Sequence, residues 1–264
     1  MEYELPEELI VESIGQVRVV VLNRPDKLNA VTQTMHHALR DVWGQLASDR
    51  EARAVVLTGA GSAFCSGGDV ENFIRNNNDV DHRRRSIRGA KELFDVMMDF
   101  PLPVVAAVNG PAVGLGCNLA VSCDLVLIAD SAYLAESHVA VGLVAGDGGT
   151  TLWPQMMSIL KAKELVLLGD RITADDAVRL GLANRVVPAG SLRVEAIALA
   201  QRLADLPAQA VQQTKRAFNM HLKRAALDVM DFSLQAEFDS FGSDYTRQVA
   251  ERLLSRTTRE TQKE

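Results

Sequence analysis

Two glycine-rich segments decide the fold of this chain: residues 59–69 read GAGSAFCSGGD, and residues 109–118 read NGPAVGLGCN. Each segment directly follows a short run of strand-forming residues, AVVLTG at 54–59 and PVVAAVNG at 103–110. Turns of this kind can bring backbone N–H groups from two separate segments onto one oxygen atom. We therefore predict a site that stabilises a developing negative charge.

Strand-like and helix-like segments alternate on both sides of these turns. Residues 10–14 and 17–22 are apolar runs on either side of Gly15 and Gln16, and they predict a hairpin. The apolar run DLVLIAD at 124–130 predicts a buried strand. Strands that alternate with helices imply crossover connections and a largely parallel sheet, so the expected fold class is α/β.

The helices are predicted from caps and from apolar spacing. Thr32 caps a helix whose apolar residues recur at helical intervals, and His36 lies on its outward side. Thr173 caps another helix, which ends at Gly181. Residues 75–85 are polar and predict a mobile loop that leads into the next helix.

The chain divides by character near Pro188. Residues 191–254 contain one glycine and one proline, and their apolar residues recur at helical intervals. We predict a core at residues 1–190 and a helical C-terminal region at residues 191–264.

Composition excludes several classes of protein. The chain has 264 residues and a net charge of −6, which disfavours a general nucleic-acid binder because phosphate recognition needs clustered Lys and Arg. Its three cysteines lack CxxC spacing, so neither a disulfide framework nor a zinc site is predicted. The N-terminal MEYELPEELI lacks the features of a signal peptide, and no apolar run approaches a membrane span. We expect a cytoplasmic protein that binds a small molecule and contacts no membrane.

Familiar nucleotide and nucleophile motifs do not fit the glycine turns. Gly59-Ala60-Gly61 is not followed by the third glycine of a dinucleotide fingerprint, and no P-loop pattern occurs. Ser66 lacks the GxSxG pattern of a nucleophile elbow. Cys65 has no base partner identifiable in the sequence, which makes a thiol-dependent hydrolase a weak alternative.

Four ordered motifs carry a resemblance to a known family. They are the two glycine turns within 59–69 and 106–130, NRPDKLNAV at 23–31 and VGLVAGDGGT at 141–150, with a looser match, EFDSFGSDY, at 237–245. Together they resemble the enoyl-CoA hydratase/isomerase, or crotonase, family.

The resemblance implies a spiral of ββα units with a C-terminal helical trimerisation region, assembled as a homotrimer or a dimer of trimers. It implies a coenzyme A thioester as substrate, with no other cofactor and no metal. The backbone N–H groups of Gly68 and Leu115 would hold the thioester carbonyl as it becomes an enolate. Leu115 also stands where a helix is expected to begin after Gly114.

The resemblance also implies a path for coenzyme A. Its adenine and pantetheine would run along Lys27, Leu28, Ala30 and the Ser66-Gly67 turn, which Asp69 would fix. A solvated turn residue is the less favoured explanation of Lys27. For the four arginines of the next segment, a solvated helix face is favoured over phosphate binding (Arg83, Arg84, Arg85 and Arg88).

At two positions the chain departs from the family. Asn118 and His138 stand where hydratases of the family carry two glutamates. An amide cannot exchange a proton at neutral pH, whereas imidazole can. Asp147 is the nearest alternative acid, or else a turn-forming residue, and Glu136 is a possible displaced carboxylate.

The expected activity is therefore that of an acyl-CoA enzyme that stabilises a thioester enolate, of the hydratase or isomerase type. His138 and Asp147 are the candidate proton-transfer residues. Hydrolysis and decarboxylation compete with these reactions, and a non-catalytic acyl-CoA-binding scaffold is the alternative from another class.

Overall fold

The structure is a computed structural model that describes residues 3–261. It has a mixed α/β architecture, which confirms the expected fold class. The strands are β1 Leu9–Ile14, β2 Val17–Leu22, β3 Ala54–Gly59, β4 Val104–Val108, β5 Ala112–Val113, β6 Leu125–Ala129, β7 Tyr133–Ala135, β8 Ile172–Thr173 and β9 Arg185–Val187. The helices are α1 Gln33–Ser48, α2 Val70–Asn78, α3 Val80–Asp99, α4 Leu115–Val121, α5 Gly149–Met156, α6 Ile159–Leu168, α7 Ala174–Leu180, α8 Leu192–Ala204, α9 Ala208–Phe241 and α10 Asp244–Thr261.

The main sheet has the strand order β1-β2-β3-β4-β6-β9. The β1–β2 hairpin is antiparallel, as predicted, and all the other pairings in this sheet are parallel. Its inner strands read as continuous apolar runs, and α8 packs across β2, β3 and β4 while α4 packs against β4. The second sheet has the order β5-β7-β8.

Both predicted helix caps are present. The Thr32 side chain accepts a hydrogen bond from the Met35 N–H at 3.0 Å, and the Thr173 side chain accepts one from the Asp176 N–H at 3.2 Å. Gly181 ends α7 in the left-handed conformation with a φ of 83°. Local capping chemistry therefore identified these helix ends correctly.

The loop predicted at residues 75–85 is wrong, because this segment is helical. Asp69 caps α2 by accepting a hydrogen bond from the Glu71 N–H. Asp79 then caps α3 by accepting from the N–H groups of Asp81 and His82, both at 2.9 Å. Two successive aspartate caps thus divide a polar stretch into two helices.

The C-terminal helices share one hydrophobic core with the rest of the chain. Helix α8 packs against β2, β3, β4 and β6 of the main sheet, and α9 packs along α3 and α5. Farther toward its start, α9 is held by Lys215, which donates to the Leu102 carbonyl at 2.8 Å, and by Asn219, which donates to the Met98 carbonyl at 2.9 Å. The boundary near residue 190 stays a prediction.

Within residues 3–261, none of the helices combines the length and the apolar character needed to cross a membrane.

Candidate active site

The first glycine turn directs the N–H group of Gly68 away from its neighbouring segment. Val31 and Gly68 form an isolated parallel bridge. The Val31 N–H donates to the Gly67 carbonyl at 2.8 Å, and the Asp69 N–H donates to the Val31 carbonyl at 3.0 Å. Successive backbone groups of an extended segment point to opposite edges, so the Gly68 N–H faces the other side, toward the second turn.

The second glycine turn presents the N–H group of Leu115. Helix α4 begins at Leu115, as the sequence predicts, and Gly114 before it has a φ of 53°, which glycine adopts readily. The first N–H groups of a helix have no acceptor within that helix. The Leu115 N–H is therefore available to an acceptor outside the helix.

The two turns are fastened together by backbone contacts. Cys65 and Ala112 form a parallel bridge, in which the Val113 N–H donates to the Cys65 carbonyl at 2.9 Å. A Cβ atom on Gly67, whose φ is 99°, would stand 3.0 Å from the Val113 carbonyl oxygen. These close approaches bring the segments that carry Gly68 and Leu115 side by side.

A buried cluster of ionisable groups lies next to the second turn. His138 Nδ1 contacts Glu136 Oε1, and His138 Nε2 lies 3.5 Å from Asp147 Oδ2. A Cβ atom on Gly114 would stand 3.4 Å from His138 Cε1. The imidazole therefore lies between two carboxylates and beside the backbone that leads into Leu115.

His138 directly precedes the 3₁₀ turn Val139–Val141 and is its N-cap residue. Its backbone is helical, with a φ of −54° and a ψ of −49°. The backbone bends at His138, and the side chains of Glu136 and His138 meet across this bend. In a regular strand, residues two apart would share a face without a bend.

The charges in this cluster stabilise one another. Burial disfavours the charged imidazole, but the carboxylates of Asp147 and Glu136 outweigh it and raise the pKa of His138 well above its usual value. Burial opposes the ionised form of Asp147, yet the His138 charge and hydrogen bonds from His138 and Asn118 lower the pKa of Asp147. At neutral pH the pair is an imidazolium and a carboxylate.

Asn118 holds the Asp147 side chain. Its amide Nδ2 donates to Asp147 Oδ1 at 2.8 Å, and its Oδ1 accepts from Trp153 Nε1 at 3.4 Å. A Cβ atom on Gly148 would stand 3.1 Å from the Asn118 side chain, so glycine after Asp147 allows this approach. The structure therefore brings together Asn118, His138 and Asp147, which the sequence singled out separately.

A metal ion would find donor atoms here, but the geometry favours a proton relay. The ligand atoms of Glu136, His138 and Asp147 lie within 4.8 Å of one another. Both imidazole nitrogens of His138 already face carboxylate oxygens, which leaves the ring without a nitrogen directed at a shared ion. The expected absence of a metal stays a prediction.

Glu237 of α9 is a residue that the sequence reasoning missed. It is 5% exposed, and the charge of Asp147 acts on it. Burial, followed by the Asp147 charge, raises the pKa of Glu237 to about 8. A signal was present in the sequence, because Glu237 shares a helical apolar spacing with Met230, Leu234 and Phe241.

His36 also differs from its expected place. It is half-buried on α1, and a Cβ atom on Gly89 would stand 3.1 Å from its Cε1 atom. Burial lowers the pKa of His36 to about 4, so the imidazole is neutral. The outward orientation predicted from helical spacing is wrong because α3 packs over this part of α1.

The residues proposed for the coenzyme A path lie in two segments that run side by side as one stretch of backbone. The Ser66 N–H donates to the Leu28 carbonyl at 3.0 Å, so residues 28–31 run beside residues 66–69. Asp69 Oδ2 accepts from Arg24 Nη1 at 3.0 Å, and this guanidinium also donates to the Ala30 carbonyl at 2.5 Å. Lys27 ends the 3₁₀ turn Pro25–Lys27 at the exposed edge of this stretch.

Two other sequence candidates have different roles. Burial raises the pKa of the Cys65 thiol to about 12, which removes the thiolate that a nucleophile needs. Arg83 is buried and donates to the carbonyl oxygens of Asn76 and Asn77, both at 2.7 Å. It therefore joins α2 to α3 and is neither solvated nor free for a phosphate.

Comparisons with known proteins agree on one family. A family model described as Enoyl-CoA hydratase/isomerase matches residues 12–255. The short-chain-enoyl-CoA hydratase of Clostridium acetobutylicum is 34% identical over 239 residues, which cover 90% of this chain and 89% of that protein.

Solved structures agree as well. An enoyl-CoA hydratase/isomerase from Mycobacterium paratuberculosis is 48% identical with a TM-score of 0.91, covering 95% of this chain and 100% of that one. A monofunctional enoyl-CoA isomerase from M. smegmatis is 30% identical with a TM-score of 0.70, covering 84% and 97%. The chain therefore belongs to the enoyl-CoA hydratase/isomerase family of enzymes.

Proposed function

We propose that this enzyme binds an acyl-CoA thioester and stabilises its enolate between the backbone N–H groups of Gly68 and Leu115. Support comes from the two glycine turns, which are fastened together while these N–H groups point out of their own segments. A donor aimed at a developing oxyanion is typically worth about 2.7–4 kcal/mol. The acid–base cluster then lies beside the carbon atoms that exchange protons.

Asp147 would carry the proton, and His138 would keep Asp147 ionised. Asp147 is ionised at neutral pH and accepts a hydrogen bond from Asn118, which fixes the carboxylate without competing for the proton. The His138 imidazolium provides the opposing charge. The arrangement Asn118–Asp147–His138 is the observation that carries the proposal.

Double-bond isomerisation fits this arrangement better than hydration. In an isomerisation, Asp147 takes the proton from the carbon next to the thioester carbonyl, and the electrons move onto the carbonyl oxygen. The same carboxylic acid returns the proton two carbons further along, and the double bond is displaced. Hydration by the family's route requires a water molecule between two carboxylates, and the motif resemblance puts Asn118 and His138 at those positions.

Coenzyme A would lie along residues 28–31 and 66–69. Leu28 has a φ of 49° and is 46% exposed, which places an apolar side chain at the surface of this stretch. The Leu28, Ala30, Ser66 and Gly67 backbone would contact the adenine and pantetheine, and Lys27 would meet the phosphates. Asp69 would hold the turn through Arg24 and its cap on α2.

The C-terminal helices would mediate self-assembly as a homotrimer or a dimer of trimers. Large apolar side chains stand exposed on α9, namely Phe218 at 70%, Leu227 at 85% and Phe232 at 78%. Exposed apolar groups of this size are typical of interaction surfaces. Sedimentation of the purified chain measures its mass, and a monomer at micromolar concentration would contradict this assignment.

The decisive experiment is a panel of acyl-CoA thioesters incubated in deuterated water and analysed by mass spectrometry. We expect a β,γ-unsaturated substrate to isomerise and to acquire deuterium. Hydrated, hydrolysed or decarboxylated products without isomerisation would replace the proposed reaction by one of those alternatives. Calorimetric binding without exchange would identify a scaffold.

A further inference from the structure

Glu237 is a buried carboxyl group that the mechanism above does not use. It lies on α9, ninety or more residues after the other members of the cluster, and is 5% exposed. Its Oε2 atom has no hydrogen-bond partner among the residues that the structure describes. A buried acceptor without a donor is costly, so this side chain needs an explanation beyond packing.

Glu237 lies directly against the loop that carries Asp147. A Cβ atom on Gly146 would stand 2.6 Å from Glu237 Oε2 and 2.7 Å from the Ser233 carbonyl oxygen. One turn earlier on the same helix, Ser233 Oγ accepts a hydrogen bond from Thr150 Oγ1 at 2.9 Å. Helix α9 therefore closes over both ends of the Asp147 loop.

The cluster already contains two acidic side chains and one imidazole. Glu136 and Asp147 flank His138, so acidic groups outnumber the basic group. An enolate adds another negative charge when it forms. A third ionised carboxylate beside Asp147 would oppose that charge, whereas a neutral carboxyl group would not.

We propose that Glu237 is a positioning residue of this active site: its protonated carboxyl group, supplied by the C-terminal helix, holds the Asp147 loop and limits the negative charge beside the enolate. This inference rests on the proposed enolate chemistry. It assigns to α9 a part in the reaction besides packing and assembly.

Other charged groups around Glu237 act away from this contact. From the neighbouring elements, Asp147, His138 and Glu136 are the ionisable groups that influence it. Helix α5 contributes the Thr150 hydroxyl group, which donates to Ser233 Oγ of α9. Arg83 of α3 donates to the adjacent Phe238 carbonyl at 3.5 Å, while Arg247 of α10 donates to Asn77 Oδ1 at 3.0 Å. Apart from burial, the ionisation of Glu237 is therefore influenced by Asp147, His138 and Glu136.

The test is the pH profile of kcat/KM for isomerisation in three proteins. In the wild-type enzyme we expect activity to fall about tenfold per pH unit once Glu237 ionises, above a pKa of about 8. Glu237→Gln keeps the shape and polarity but cannot ionise. It should retain activity within about twofold near neutral pH and lose this alkaline decline.

Asp239→Asn is the matched control, because it removes a carboxylate from an exposed position two residues further along α9. Its profile should coincide with that of the wild type. An unchanged alkaline decline in Glu237→Gln would overturn the role of Glu237 while leaving the proposed function intact. A wild-type enzyme without isomerisation or exchange would instead overturn the proposed function.

A second measurement needs no activity. Infrared difference spectra of the wild-type protein across the same pH range should show loss of a protonated-carboxyl band, which the Glu237→Gln spectra lack. Circular dichroism establishes that the variant is folded. A band that persists in the variant, or is absent from the wild type at neutral pH, would contradict a protonated Glu237.

Discussion

Gly116 lies so close to Cys65 that a Cβ atom on the glycine would overlap the Cys65 carbonyl oxygen and stand 2.7 Å from the Cys65 Cβ atom. This contact joins the start of α4 to the first glycine turn. The distance between the backbone N–H groups of Gly68 and Leu115, the two candidate oxyanion donors, therefore depends on Gly116, which is not one of those donors.

Gly116→Ala should consequently destabilise the protein and reduce turnover together. Forcing a methyl group against backbone atoms typically costs about 1–3 kcal/mol. Chemical denaturation measures the change in the free energy of unfolding. Gly44→Ala is the control, because nothing lies within 4 Å of a Cβ atom there and alanine favours the α1 helix by about 0.5–1 kcal/mol. Equal stability of the two variants would contradict the packing described here.

Leu115→Pro should remove one oxyanion donor and leave the helix in place. Proline lacks an N–H group and is tolerated in the first position of a helix, which Leu115 occupies. We expect kcat to fall about 100- to 1,000-fold. Leu115→Ala retains the N–H and should keep most of the activity. Similar kinetics for the proline and alanine variants would exclude this donor from the reaction.

Asp147→Asn should abolish the base while preserving the shape of the side chain. Loss of a positioned proton-transfer group typically reduces the rate about 100- to 10,000-fold. Isomerisation and deuterium uptake should fall in parallel, with substrate binding retained in calorimetry. If both rates survive in Asp147→Asn, another residue performs the proton transfer.

His138→Ala should slow exchange at least about tenfold and also move the acid limb of the pH profile. The imidazolium lowers the pKa of Asp147, so its removal lets that pKa rise. Asp147 then protonates at a higher pH, and activity is lost earlier as the pH falls. An acid limb at the wild-type position would show that His138 does not act on Asp147.

Glu237 should make the free energy of unfolding fall as the pH rises between two defined values. Its pKa is about 8 in the folded protein and 4.5 in its ordinary state, so the folded protein holds this proton more tightly. The contribution is fully present below the lower value and is lost as pH rises to the upper one, by about 1.4 kcal/mol per pH unit. Denaturation at several pH values should show this decline in the wild type, and the Glu237→Gln variant should lack it.

Local chemistry was readable in the sequence, and contacts between distant segments were not. The Thr32 cap and the helix start at Leu115 depend on neighbouring residues, and both were predicted correctly. The polarity of residues 75–85 predicts a loop. That prediction is wrong because Asp79 caps a helix there.

The acid–base cluster shows the same division. Asn118, His138 and Asp147 were singled out by motif, but their hydrogen bonds required the fold. Glu237 meets them only because α9 crosses the Asp147 loop, and no short-range pattern encodes such a crossing.

Helix α9 spans Ala208–Phe241 without interruption, about 50 Å at the rise of an ordinary helix. Phe218 stands exposed toward one end of this rod, and Glu237 presses on the Asp147 loop at the other. Under the proposed assembly, a neighbouring subunit that docks near Phe218 would contact the same helix that places Glu237 against the Asp147 loop. If the proposed assembly uses this exposed face, a substitution on α9 that separates subunits should also change the pH profile that Glu237 sets.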